Sequence, residues 1–196
     1  FMTSSQATAY YLHQHHEGKS LYVCGTESLK QELRMEGFTV TEEIDEVECI
    51  VMGFDTELTF RKLHDVSYLL LTRPDLPYIA TNPDLVCPTE FGSVPDCGSV
   101  CIGIKNATGR EPVVIGKPSA LMPELAMERM GYSKEETAVI GDRLNTDIKS
   151  GLNAGITTML VLSGEATTET LAASEDKPHL VLDSAAEILA ALKQLT

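Results

Sequence analysis

No stretch of the 196 residues stays apolar for the roughly 20 positions that a bilayer span needs, and no basic-then-apolar segment of the secretory kind opens the chain. Positive charge is scarce as well: 15 Lys and Arg stand against 29 Asp and Glu, a formal net charge of −14. Such a surface repels a phosphate backbone and argues against a nucleic-acid polymer as partner. It still allows a small phosphorylated molecule, because one Lys or Mg²⁺ can reverse the field inside a single cleft. Cysteine pairs of the C-x-x-C kind are missing too. Cys24, Cys49, Cys87, Cys97 and Cys101 are odd in number and lack zinc or oxidoreductase spacing. They read as reduced thiols, several at apolar strand positions. These absences predict a soluble, cytoplasmic, non-membrane protein, long enough for one large domain or two small ones.

What is present is an alternation of short apolar runs with helical patterns. Leu21 to Cys24, Cys49 to Met52 and Tyr78 to Thr81 read as buried strands. Helices are expected from Thr3, where Thr3 and Gln6 form a capping box, from Thr26 to a stop at Gly37, and around Leu63, Val66 and Leu70. Asn82 to Gly98, with its Gly and Pro, reads as a long irregular loop. The second half repeats the theme: strand Val113–Ile115, a helix capped by Ser119 and ended by Gly131, strand Ala138–Ile140, strands near Thr158–Leu162 and Leu180–Leu182, and a last helix from Ser184. Strands separated by helices imply parallel sheets with right-handed crossovers. The expected class is α/β, in two units joined near Gly109 to Pro112.

Sites in open parallel sheets form beyond the C-terminal ends of strands, and two such ends are polar here. One is Gly116-Lys117-Pro118-Ser119; the other is Gly141-Asp142-Arg143-Leu144-Asn145-Thr146-Asp147. A strand-end carboxylate is a hard oxygen ligand suited to Mg²⁺. A Lys beside it is a compact charge that can neutralise a phosphoryl oxygen. Thr146 and Asp147 are also placed to cap the next helix. Each segment alone could be a turn with a helix cap or a solvated loop. Their order, at neighbouring strand ends, is what makes the pair specific.

Gly116 to Ser119, Gly141 to Ile148 and Gly151-Leu152-Asn153-Ala154-Gly155 together resemble the third and fourth motifs of the haloacid dehalogenase (HAD) superfamily. Thr3 to Ala9, Ala80-Thr81-Asn82-Pro83-Asp84 and Thr108-Gly109-Arg110-Glu111-Pro112 resemble its p-nitrophenylphosphatase, or NagD-like, branch. The resemblance implies an HAD-like Rossmannoid core with an inserted C2-type α/β cap. Residues 1–19 and 111–196 would belong to the core and 20–110 to the cap. It implies a cytoplasmic Mg²⁺-dependent hydrolase of small phosphate monoesters, with Asp142 as metal ligand, Lys117 and Asp147 as catalytic residues, and Thr81, Asn82 and Lys117 contacting substrate. A small phosphorylated metabolite is the expected partner, and a homodimer through the cap the expected assembly.

The family's first motif, D-x-D-G-T, with its attacking Asp, and the second motif's phosphate-binding Ser or Thr occur nowhere in these 196 residues. The chain is therefore expected to be a fragment, inactive by itself, whose core half lacks a central strand beside Ala138–Ile140. Two alternatives stand beside the phosphatase: a catalytically silent fragment or interaction domain of an HAD-type protein, and a phospho-receiver module. The long insertion before Lys117 argues against the receiver.

Overall fold

In the computed structural model, which describes residues 2–188, the chain divides after Gly116 into two compact units. The first opens with helix α1 (Ser4–His15), started by the Thr3 and Gln6 capping box. A parallel five-stranded sheet follows in the order β2-β1-β3-β4-β7, built from β1 (Ser20–Cys24), β2 (Thr39–Val40), β3 (Cys49–Met52), β4 (Tyr78–Ala80) and β7 (Val113–Val114). Helices α2 (Glu27–Met35), α3 (Phe60–Thr72) and α4 (Cys97–Thr108) connect them, capped by Thr26, Thr59 and Asp96.

The three central strands are buried from Leu21 on in β1 and throughout β3 and β4, because the sheet is covered on both faces. Tyr22, Ile50 and Tyr78 lie side by side across it, as do Cys24, Met52 and Ala80. These face Val66, Leu69 and Leu70 of α3 and Cys97, Cys101 and Ile104 of α4. Val23, Val51 and Ile79 point the other way and are buried as well. Each fully buried Leu or Ile contributes about 1.5–3 kcal/mol.

Two expectations change here. Val113–Val114 does not open the second unit; it pairs in parallel with β4, Ile79 beside Val113 and Ala80 beside Val114, where an unpaired sheet edge waits for it. The contact division accordingly groups residues 111–116, and also α1, with the first unit. The Asn82 to Gly98 segment is not irregular throughout. It contains an antiparallel hairpin of β5 (Val86–Thr89) and β6 (Gly92–Pro95). Pro88 and Pro95 disguise it, since a two-stranded ribbon tolerates proline at positions a central strand would not.

The second unit holds α5 (Leu121–Met130), β8 (Ala138–Gly141), α6 (Lys149–Ala154), β9 (Thr157–Val161), α7 (Thr168–Ala173) and β10 (Leu180–Leu182). Its parallel sheet runs β10-β9-β8. On one face Val139 packs with Met127, Ala154 and Ile156, and Leu160 packs with Ile148 and Ala166. On the other, Ile140, Met159 and Leu180 form a row across the three strands, and Ile140 and Leu180 are exposed. Ser119 does not occupy the N-cap of α5, which is Ala120, but its hydroxyl accepts the Leu121 N–H one position in. The helix expected from Ser184 lies largely outside the described residues.

Candidate active site

The loop after β8 is shaped by what Gly141 lacks. A side chain there would run into the carboxyl group of Asp147, so only glycine lets Asp147 fold back over the strand end. The fold-back is made by a π-helical turn over Leu144–Ile148, in which the Ile148 N–H reaches the Arg143 carbonyl. Such wide turns carry one residue more than an α turn. They also displace the expected cap: α6 begins at Ile148 without a side-chain cap, and Asp147 is used elsewhere.

Asp147 is 8% exposed and both of its oxygens are engaged. Oδ1 accepts from Lys117 Nζ at 2.6 Å, and Oδ2 accepts from the Arg143 N–H at 3.2 Å. A buried carboxylate needs such partners. The Lys117 side chain remains about half exposed. Asp147 takes one of its three ammonium donors, so the charge is held in place without being used up.

The loop carrying Lys117 is itself tied down. The Ser150 hydroxyl donates to the Ser119 carbonyl and the Asn153 amide to the Pro118 carbonyl, each at 2.8 Å. The Lys117–Pro118 peptide bond is cis. Helix α6 thus works as a rail along which the Lys117 loop lies. Sequence reasoning missed Ser150 and Asn153 as positioning residues, although Asn153 stands inside the Gly151 to Gly155 run.

Asp142 sits at the turn between β8 and the π segment. Its Oδ2 accepts the Glu165 N–H at 2.8 Å and its backbone carbonyl accepts the Ala166 N–H. Gly164 passes so close to the Asp142 carboxyl that a side chain there would collide with it. Arg143 is neutralised by Glu165 at 2.7 Å, which leaves Lys117, among the described residues, as the cation of the site proper. Among the described residues no group of three or more His, Cys, Asp and Glu gathers to hold a metal. The donor set nonetheless suits Mg²⁺, which binds through one or two carboxylates and fills its other positions with water and phosphate oxygens. Thr146 adds a buried hydroxyl without a partner on the same loop.

Thr81 and Asn82 belong to the first unit, at the end of β4. Thr81 is buried, and the Asn82 carboxamide oxygen accepts the Asp84 N–H at 3.0 Å in a tight turn. The structure therefore joins Lys117 to Asp147, sets Asp142 on the same loop as Asp147, and carries Thr81 and Asn82 on a separate strand end.

The loops after β7 and β8, strands of two separate parallel sheets, join a lysine, a clamped carboxylate and a second carboxylate, an arrangement of the HAD-like hydrolase class. The HAD-hydrolase-like family profile matches residues 114–188. Over 188 residues the chain is 36% identical to the ribonucleotide monophosphatase NagD of Escherichia coli K12, covering 96% of this chain and 72% of that protein. It is 36% identical to the 5′-nucleotidase YutF of Bacillus subtilis, covering 94% and 71%. A 4-nitrophenylphosphatase from Thermotoga maritima superposes with a TM-score of 0.89 at 39% identity, over 97% of this chain and 72% of that one. The chain belongs to the HAD-like phosphatase family, in its NagD and p-nitrophenylphosphatase branch.

Proposed function

We propose that this protein hydrolyses small phosphate monoesters in the cytoplasm, through an aspartyl-phosphate intermediate formed on a carboxylate outside these 196 residues. The observation that carries the reading is the 2.6 Å pairing of Lys117 with Asp147 at the strand end that also bears Asp142. Lys117 offers its remaining donors to a phosphoryl oxygen and offsets charge as the phosphorus–oxygen bond changes hands. Asp147 keeps the ammonium aimed. Asp142 would hold Mg²⁺, which when bound supplies charge neutralisation at the phosphoryl oxygens. Thr81 and Asn82, on the unit that the family resemblance makes the cap, would contact the rest of the substrate.

The relatives' names support the substrate class: a ribonucleotide monophosphatase, a 5′-nucleotidase and, in Staphylococcus epidermidis, an acid sugar phosphatase. The test is steady-state hydrolysis of p-nitrophenyl phosphate, nucleoside monophosphates and sugar phosphates by the protein at its full encoded length. Lys117→Met is expected to lower kcat on the order of 10²-fold, as loss of one positioned electrostatic donor does. Asp142→Ala is expected to remove the Mg²⁺ requirement together with the activity. Turnover within threefold of wild type in Lys117→Met, or unchanged Mg²⁺ dependence in Asp142→Ala, would overturn the assignment.

A further inference from the structure

Tyr78 is out of place in the apolar core of the first unit. It is 3% exposed, and its hydroxyl finds no oxygen or nitrogen to bond. Leaving a buried hydroxyl unsatisfied costs about 1–3 kcal/mol. The residue packs in one core cluster with Cys97 and Cys101. These two cysteines stand one turn apart at the start of α4, with their Sγ atoms 3.9 Å apart.

The two thiols are not equivalent. The contact it shares with Cys97 holds the Cys101 thiol below its ordinary range; burial opposes this, and the Tyr78 hydroxyl adds to the lowering. Cys97 is pushed up by that same contact and by burial. The two sulfurs thus sit side by side in the core, Cys97 on the first turn of α4 and Cys101 one turn further along. The unit's other buried thiols differ: burial pushes Cys24 and Cys49 up to about 12. Cys101 also lines a cavity of about 300 Å³ together with Asn82, Lys105 and Glu111, wide enough for a small oxidant.

We propose that Cys97 and Cys101 are a redox dithiol which a hydroperoxide closes to an intrahelical disulfide, and that closure resets the loop bearing Thr81 and Asn82. The Cys101 sulfur attacks one peroxide oxygen, the O–O bond breaks, and the other oxygen leaves as an alcohol or water after taking a proton. Cys97 then displaces the hydroxyl from the resulting sulfenic acid, and water departs with the Cys97 proton. Two thiols have lost two electrons and two protons, and the hydroperoxide has become an alcohol and water. Four helical residues rise about 6 Å, inside the ~4.4–6.8 Å that a disulfide allows between Cα atoms. The sulfurs must still close from 3.9 Å to about 2 Å, so the first turn of α4 has to loosen. That turn lies directly on the loop. The Gly98 N–H donates to the Asp84 carbonyl at 2.8 Å, and Gly98 is so close to the Pro83 carbonyl that no side chain would fit between them.

The chemical half of this proposal is independent of the phosphatase reading; the effect on turnover rests on it. The chain is treated with hydrogen peroxide, quenched, denatured and alkylated, then measured by intact mass and peptide mapping. The expected result is that three of the five cysteines remain alkylatable and that a peptide cross-link joins Cys97 to Cys101. Cys97→Ser is expected to stop at a sulfenic acid on Cys101, trapped as a dimedone adduct, and Tyr78→Phe to slow oxidation several-fold. Hydrogen exchange at residues 82–84 and 97–101 is expected to quicken on oxidation. Five alkylatable thiols, or a disulfide made through Cys87, would overturn the dithiol in the wild-type chain alone, whatever the variants do. Unchanged exchange at 82–84 would overturn its coupling to the loop. So would peroxide inactivation, measured on the protein at its full encoded length, that persists in a Cys97→Ala, Cys101→Ala double variant.

Discussion

Asp147 does three jobs with one side chain: it accepts from Lys117, accepts from the Arg143 backbone and fills the space above Gly141. Asp147→Asn preserves the volume and removes the charge, so Lys117 keeps its place but loses its counter-ion. We expect kcat to fall at least tenfold, with little change in thermal stability. Because both residues act through one pair, the Lys117→Met, Asp147→Asn double variant should be no slower than Lys117→Met alone, the non-additivity expected of groups in contact. Additive losses in the double-mutant cycle would separate their roles. The meeting of Lys117 with Asp147 could be anticipated from the sequence, because the two polar segments follow successive apolar strand runs. Ser150 and Asn153 were not legible. They act on the backbone carbonyls of Ser119 and Pro118, and a pattern of residue types says nothing about which carbonyl a hydroxyl reaches.

Helix α6 decides where the Lys117 loop lies. Asn153→Ala removes one hydrogen bond to that loop and is expected to cost about 0.5–1.5 kcal/mol of stability. Turnover should fall by more than the stability loss explains, with KM little changed; a urea titration and a kcat–KM pair check both. The start of α4 makes a different point. The Asp96 carboxylate caps it by accepting the Cys97 N–H at 2.5 Å, yet burial raises its pKa, with the cap hydrogen bond opposing and Asp84 adding to the rise. A carboxyl raised in the folded state favours folding in acid, and that contribution is lost as pH climbs through its titration. Asp96→Asn retains a cap of equal quality without the buried charge. Its melting temperature should exceed wild type at pH 7–8, and the gap should shrink toward pH 4. A gap independent of pH would show that the charge is not what matters. At this scale the strands and most helix limits could be read directly, since apolar runs and Thr caps mark them. The β5–β6 hairpin and the π turn could not: prolines masked the first, and the second depends on Asp147 finding Lys117 across 30 residues.

Two parallel sheets were expected and two are present, but the boundary moved. Val113 and Val114 are as apolar as any strand of the second unit, and nothing in their composition says which sheet edge they will join; pairing with β4 settles it. The two sheets also differ in how they are dressed. In the first unit both faces of the central strands are covered, as parallel sheets require. In the second, α5 and α6 cover one face, while among the described residues Ile140 is 46% and Leu180 49% exposed on the other, on either side of Met159.

Among the described residues, that exposed row gives the second unit an adhesive side. An apolar stripe at the side of an open strand offers a stray chain both grease and unpaired amides. The net charge of −14 opposes such encounters, but only over a Debye length of about 10 Å at 0.1 M salt. Solutions of this chain should therefore be well behaved at low ionic strength and turn attractive as salt is added. The osmotic second virial coefficient, measured by static light scattering, should cross from positive to negative. Ile140→Lys should hold it positive through the same salt series and dim the fluorescence of a bound naphthalene sulfonate dye. A wild-type coefficient indifferent to salt would mean that the stripe is already covered in solution.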